Sequence, residues 1–511
     1  MNLLDLAQEL IDEILCWIDS PQDLVAFALA SHLCASIAIP RHTEYRVLYI
    51  PTRRPDIWEH LARFPNSTSN FREVHIDFRK NSDGRVPERY PVTLVDPKLD
   101  DSDDASDQDV IDNMCKAFAT MKRLTTVTWH SRSQERVIPL NQRATFTEAL
   151  TRLPALRRLS MMWASDSRAE YNSDLHPTWN ISHLTHLRLR GTQAAYREPT
   201  PSQTTNIARW IQKSPGLVCL HMLARTLSLV AASSDFVLPV LTTLAVYGSS
   251  QESVIQFIQR HPTIEELRWC LLDTVHPLPH GFLPNCKRFQ VSVHILDALE
   301  ANYSSTDEPP SARDLRRQVE VIHFADLQIP DLLSYRFLNP IGLIVLRTSQ
   351  DLEKISAHAA RFPMIRWLEI IPREGYPNWT LDEWIDALSQ FAHLDTIGEC
   401  NIWDLVHNGR VTEPELIRRL ALACPNLRYL NNFDNQQDQG HRLAIYRPPC
   451  EEFDEGMDSD VVCYVVQKRR TRSRQTMIFE PMEGVYDNSG YLQPPQRDWR
   501  TVQLHSQTGD S

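Results

Sequence analysis

The sequence predicts an α/β protein in which a small all-helical N-terminal unit precedes a solenoid of parallel strands and helices. Three observations carry this expectation. Apolar residues recur at helical spacing between Leu6 and Ile39. A pattern P-x-φ-x-x-φ-x-φ, with φ apolar, returns from Pro154 to Pro425. Many of its copies follow a stretch of helical character, such as "TNIARWIQKS" or "PELIRRLALAC".

In the first helix Leu10, Ile11, Ile14, Leu15 and Ile18 form one wide apolar stripe. "DSP" ends it. Ser20 then fits an N-cap, Pro21 the first helical position and Asp23 the capping-box acid, so a second helix starts at once, carrying Leu24, Val25, Phe27, Ala28 and Leu29. A third helix, Ser31 to Ile39, stops before Pro40, because the residue ahead of a proline avoids the helical region. Three short helices in about 35 residues cannot bury this much apolar surface among themselves, so part of it must dock elsewhere.

Leu6, Glu9, Leu10, Ile14, Leu15, Ile18, Asp23, Leu24 and Ser31 resemble the F-box pattern, which reads roughly L-P-x-E-L, then I-L, then D-L and a serine. Ala7 stands where the pattern has proline. "IPRHTEYRV" and "IWEHLARFP" resemble a large group of fungal F-box proteins. The resemblance implies an F-box over residues 1–45 that docks on a Skp-type adaptor, and through it on a cullin. Leu6, Ala7, Glu9, Leu10, Ile14, Leu15, Ile18 and Leu24 would form the adaptor-binding set.

The second pattern occupies residues 46–444. "PALRRLSM" at Pro154, "PGLVCLHM" at Pro215, "PVLTTLAV" at Pro239, "PTIEELRW" at Pro262, "PNCKRFQV" at Pro284 and "PMIRWLEI" at Pro363 all fit, and "PNLRYLNN" at Pro425 fits except at its end. The copies at 215, 239, 262 and 284 are spaced by 24, 23 and 22 residues. Proline-less versions begin at 182, 319, 341 and 392. Proline ends each helix, and a short strand then turns its last two φ residues into a core. A single helix–strand unit has nothing to bury its apolar face against except a neighbouring unit. The series resembles leucine-rich repeats of a degenerate, long-unit kind.

Two segments depart from the repeat. Val95 to Val110 is acidic and without aromatics, and reads as a disordered insertion. From 445 to 511 the pattern is lost: "VVCYVVQ" reads as a strand, "KRRTRSRQTMIF" as a basic turn with a further strand, and the residues beyond Pro481 as a loose tail. Lys468, Arg469, Arg470, Arg472 and Arg474 suit either a charged hairpin turn or a nuclear-import or phosphate-binding patch.

Composition narrows the function. With 511 residues, 42% hydrophobic and 23% charged, the chain is ordinary for a globular protein, and its net charge of -12 speaks against a nucleic-acid binder. "MNLLDLAQELIDE" lacks the basic start of a secretory leader, and no apolar run is long enough to span a bilayer, so a cytoplasmic or nuclear location without membrane attachment is expected. The ten cysteines include no C-x-x-C and read as small buried residues. No two of the 14 glycines lie within five positions, which excludes the glycine-rich phosphate loops. His183 and His186 form H-x-x-H without a zincin glutamate, and no metal site, cofactor or catalytic constellation is expected.

The expectation is a non-catalytic substrate receptor of an SCF-type ubiquitin ligase, which supplies proximity and orientation; a repeat scaffold acting outside a ligase is the alternative. In the repeat, residues flanking the last two φ positions point away from the core, toward what would be the concave face of a horseshoe. Arg158, Arg188, Arg190, Arg268 and Arg288, with His130, His186, His221 and His323, occupy those places against Glu266 and Glu369. Guanidinium groups pair bidentately with carboxylate or phosphate, so the expected ligand is an acidic or phosphorylated target segment.

Overall fold

Each proline of the repeat pattern sits in a turn, and a strand begins four residues after it. This holds at 158, 219, 243, 266, 288, 367 and 429. The offset is the same for the proline-less copies at 182, 341 and 392. The computed structural model describes residues 6–18, 21–39, 42, 45–50, 55–77, 107–130, 140–163, 177–191, 201–233, 236–248, 252–270, 278–279, 282–291, 293–304, 321–324, 338, 343, 345–349, 351–371, 379–398, 402–434, 439–446, 461–470 and 500–503. The chain divides into two units, Met1–Ile264 and Glu265–Ser511, and each is an α/β arrangement of parallel strands and helices.

In the first unit the strands are β1 (Val47–Ile50), β2 (Glu73–Asp77), β3 (Thr126–His130), β4 (Arg158–Trp163), β5 (His186–Gly191), β6 (Cys219–Leu223) and β7 (Thr243–Tyr247). Each pairs in parallel with the next in sequence. Val74, Val127, Leu159, Leu187, Leu220 and Leu244 fall in register across six of them, and none is more than 1% exposed. Alternation turns this row toward the helices. From that side Trp58, Phe118, Phe146, Trp210 and Phe257 enter the core, with Phe146 edge-on to Trp129 on β3 at 4.6 Å.

The turns repeat one hydrogen-bond motif. The carbonyl ahead of each strand accepts two successive amides from the entry to the next: Arg157 from Thr185 and His186, Thr185 from Val218 and Cys219, Val218 from Thr242 and Thr243. The backbone groups at each strand entry are thus satisfied by the neighbouring repeat. That is the local reason why one unit alone is incomplete.

The second unit continues with β8 (Glu266–Cys270), β9 (Arg288–Val291), β10 (Val321–Phe324), β11 (Val345–Ser349), β12 (Trp367–Ile371), β13 (Thr396–Gly398) and β14 (Tyr429–Asp434), again parallel in order. Its helices start on the signals the sequence carries. Thr380 and Glu383 form a capping box, Thr412 caps the helix Glu413–Ala423, and Asp351 caps Leu352–Arg361.

The ends of the pattern differ from the expectation. After β14 the ladder turns antiparallel through β15 (Gln439–Tyr446), β16 (Val461–Arg470) and β17 (Arg500–Gln503). Lys468, Arg469 and Arg470 lie on β16 itself rather than in a turn, opposite His441, Gly440 and Gln439, because strand pairing carries past the apolar run. The stretch expected to be a loose tail supplies a strand at Arg500–Gln503. Arg472 and Arg474 lie outside the described residues, as does 95–106 of the acidic insertion. The last four positions of that insertion open the helix Asp107–Thr120.

Candidate functional sites

The N-terminal helices are α1 (Gln8–Trp17), α2 (Pro21–Leu29) and α3 (His32–Ala38). Pro21 opens α2 at the position where a missing amide costs nothing, and Ser31 caps α3 through the Cys34 amide at 3.1 Å. Ile11, Leu15, Leu24, Ala28, Ile37 and Ala38 form their core, with Leu6, Ile18 and Phe27 packed on its margin.

Of the residues expected to meet an adaptor, Leu15 and Leu24 are buried in that core, while Leu6 and Ile18 border it. Leu10 and Ile14 point outward, 54% and 40% exposed. The Glu9 side chain lies outside the description. The sequence reading missed Trp17, Val25, Leu29, Leu33 and Ile39, all exposed, with Leu29 at 81% and Trp17 at 79%. Seven of the twelve large apolar side chains exposed among the described residues therefore lie between Leu10 and Ile39. A signal existed: Leu10, Ile14 and Trp17 follow the i, i+4, i+7 spacing of one helix face.

Ala7 precedes α1 with φ -57° and ψ 143°, and its carbonyl accepts from the Leu10 and Ile11 amides. That φ is within the range a proline ring imposes. Alanine thus keeps the backbone shape that a proline would impose there and lacks only its rigidity. Ala7→Pro is expected to stabilise the helical unit by about 0.4–1 kcal/mol through the unfolded state, measurable as added hydrogen-exchange protection in α1.

Polar contacts join α1 to the chain that follows. Asp12 pairs with Nε2 of the fully buried His42 at 3.0 Å. The Glu13 carboxylate takes both oxygens to Arg123 Nη2, at 2.8 and 3.0 Å, and this holds its pKa below the usual carboxylate range. Arg46 donates to the Leu15 carbonyl at 2.6 Å and to the His42 carbonyl at 3.2 Å.

On the sheet face opposite the core row, β4 and β5 bring Arg158 beside His186 and Ser160 beside Arg188. Arg158 is exposed, and His186 and Arg188 are half-buried. Burial, and then the two guanidinium charges, push the His186 imidazole down to about 4, so it is neutral at physiological pH. The Arg190, His130 and His323 side chains lie outside the description, and His221 is buried.

The second unit is arranged differently. Glu266 pairs with Arg268 at 2.5 Å and reaches Arg288 at 3.9 Å, so one carboxylate serves both arginines. Glu369 is buried. Among the described residues, the basic face expected along the series therefore has no paired carboxylate at Arg158 and Arg188 on β4 and β5, and is compensated on β8 and β9.

Cys34, Cys219, Cys286 and Cys424 are buried and in no disulfide; burial raises the half-buried Cys115 thiol to about 11, which keeps it protonated. His183 sits at positive φ, 61°, on an exposed turn. Among the described residues no group of three His, Cys, Asp or Glu side chains could hold a metal, and no helix is long and apolar enough to cross a membrane. No protein-family model matches the chain, and no curated protein matches it.

Proposed function

We propose that the chain is a non-catalytic substrate-recognition subunit of an SCF-type cullin ubiquitin ligase. Its N-terminal helices act as an F-box for a Skp-type adaptor, and its leucine-rich-repeat-like strands and helices hold a target protein. The observation that carries this reading is the concentration of exposed apolar side chains on α1–α3. Exposed apolar surface of this density marks a contact with another protein. It surrounds a core already satisfied by Ile11, Leu15 and Leu24, so the exposed set is surplus to folding.

The test is affinity purification of the full chain with peptide identification by mass spectrometry. Adaptor and cullin peptides are expected with the wild type. Leu10→Asp with Ile14→Asp is expected to remove them, a loss of at least about 100-fold, because two buried anchors of an interface each contribute about 2 kcal/mol or more. Both side chains are exposed, so the α1–α3 core remains and the circular-dichroism spectrum should not change. Equal adaptor recovery from both proteins refutes the F-box reading. Recovery of other partners without adaptor or cullin from the wild type identifies a repeat scaffold instead.

A further inference from the structure

We propose that Arg158, His186 and Arg188 form an oxyanion-binding site on β4 and β5 in which anion binding is coupled to protonation of His186. The proposal deepens the receptor reading, and rests on it only for the idea that a target segment carries the anion.

Parallel register sets the geometry. Arg158 is the in-register partner of His186, so the two side chains rise from adjacent strands about 5 Å apart. Arg188 lies two residues further along β5, on the same face, beside the Ser160 hydroxyl of β4. The imidazole therefore stands between two guanidinium groups. Thr185 Oγ1 lies 2.9 Å from its Nδ1. Facing His186 from β6 are Cys219, in register with it, and the buried His221, in register with Arg188. No carboxylate pairs with Arg158 or Arg188 among the described residues, unlike Arg268 and Arg288 with Glu266. The neighbouring positions of β3 on this face are Thr126 and Thr128, which add hydroxyls and no charge.

Two fixed positive charges without a counter-charge among the described residues call for an anion, and a dianion balances them best. Burial first, and then these two charges, hold the imidazole neutral when the site is empty. A bound oxyanion offsets the arginine repulsion and sets a negative charge beside the buried imidazole, which favours its protonated form against desolvation and makes it a third donor. Affinity therefore rises as pH falls, between the ordinary histidine range and the depressed value of the empty site. The sign follows from linkage: the form that binds the proton more tightly is the anion-bound form.

Sulfate is the discriminating probe, because its own charge does not change across this range, whereas a phosphate monoester titrates near 6. The experiment is thermal unfolding of the full chain against increasing sodium sulfate, with chloride holding ionic strength constant. The melting shift gives the affinity through linkage. Sulfate is expected to bind about tenfold more tightly at pH 5.5 than at pH 7.5 if occupancy returns His186 to about 6.5. Arg158→Gln with Arg188→Gln is expected to abolish the shift at both pH values, with the Lys pair retaining part of it should the Gln pair fold poorly. His186→Asn should keep the pH 7.5 affinity and lose the pH dependence. Arg268→Gln with Arg288→Gln should leave both intact. A sulfate shift that survives loss of both arginines, or a pH dependence that survives His186→Asn, overturns the site. Phenyl phosphate and benzoate then separate the two sources: tighter binding of the first assigns a phosphoryl group, of the second a carboxylate, and binding of neither overturns the proposal. Adaptor recovery depends on Leu10 and Ile14, so it should be unaffected by these variants, and the two readings fail separately.

Discussion

Leu220→Ala is expected to destabilise the Met1–Ile264 unit by about 2–5 kcal/mol, the range for a large-to-small change in a closed core. Leu220 is fully buried within the row, flanked by Leu187 on β5 and Leu244 on β7. A cavity there has repeats on both sides and nothing mobile to collapse into it. Arg188→Ala, on the strand beside it but on the other face, removes only a half-buried side chain and is expected to cost less than about 1 kcal/mol. Urea unfolding followed by circular dichroism measures both. Comparable costs would mean that the alternation of faces along β5 and β6 is misassigned, since a one-residue slip exchanges the buried and exposed sets.

The repeat was legible because its signal is written in residues with strong local consequences. Proline fixes the turn, and the apolar residues two, five and seven positions later are buried in every copy whose side chains are described, from Leu156, Leu159 and Met161 to Ile365, Leu368 and Ile370. β1, β2 and β3 lack that proline, and the pattern did not single them out, although "SNFREVHI" and "KRLTTVTW" keep the same four-residue offset to the strand. The C-terminal strands were harder to bound, because pairing with a neighbour, rather than apolar character, carries β16 through Lys468–Arg470.

The sites were legible in kind more than in detail. A stripe of five apolar residues marks an amphipathic helix, but it cannot say which member faces the unit's own core. That depends on how α2 and α3 cross α1, which buries Leu15 and leaves Ile14 outside. The arginines followed from the alternation of strands. Their separation into a pair on β4–β5 with no carboxylate partner among the described residues and a compensated pair on β8–β9 rests on register: Glu266 is two residues from Arg268 on one strand and directly opposite Arg288 on the next. By residue type His186 counts as one more positive group. Burial between Arg158 and Arg188 makes it neutral, a consequence of desolvation that residue type alone does not carry.

Arg46→Ala is expected to free α1 from the chain behind it. The backbone of Arg46 belongs to the repeat body, since its carbonyl accepts the Arg72 and Glu73 amides at the entry to β2. Its side chain belongs to the helical unit, where the guanidinium of this buried residue donates to the Leu15 carbonyl near the end of α1 and to the His42 carbonyl. One residue thus ties helix to sheet from both of its ends. Hydrogen bonds from a charged donor contribute about 1.5–3 kcal/mol each, and removing the donor leaves the carbonyls buried without it. A loss of about 3 kcal/mol corresponds to roughly a 100-fold fall in amide protection across α1, read by hydrogen exchange with mass spectrometry, while β4–β7 keep theirs. Arg46→Lys should fall between, because an ammonium group lacks the planar fork that reaches two carbonyls at once. The Arg123–Glu13 pair is the internal comparison. It also reaches α1, but its side chains are 33% and 54% exposed, so Arg123→Ala should cost no more than about 1 kcal/mol. Unchanged protection of α1 in Arg46→Ala would mean that the helical unit is held by its apolar core alone. In that case the orientation of the adaptor proposed to dock on Leu10, Ile14 and Trp17 would not be fixed relative to the strands proposed to hold a target.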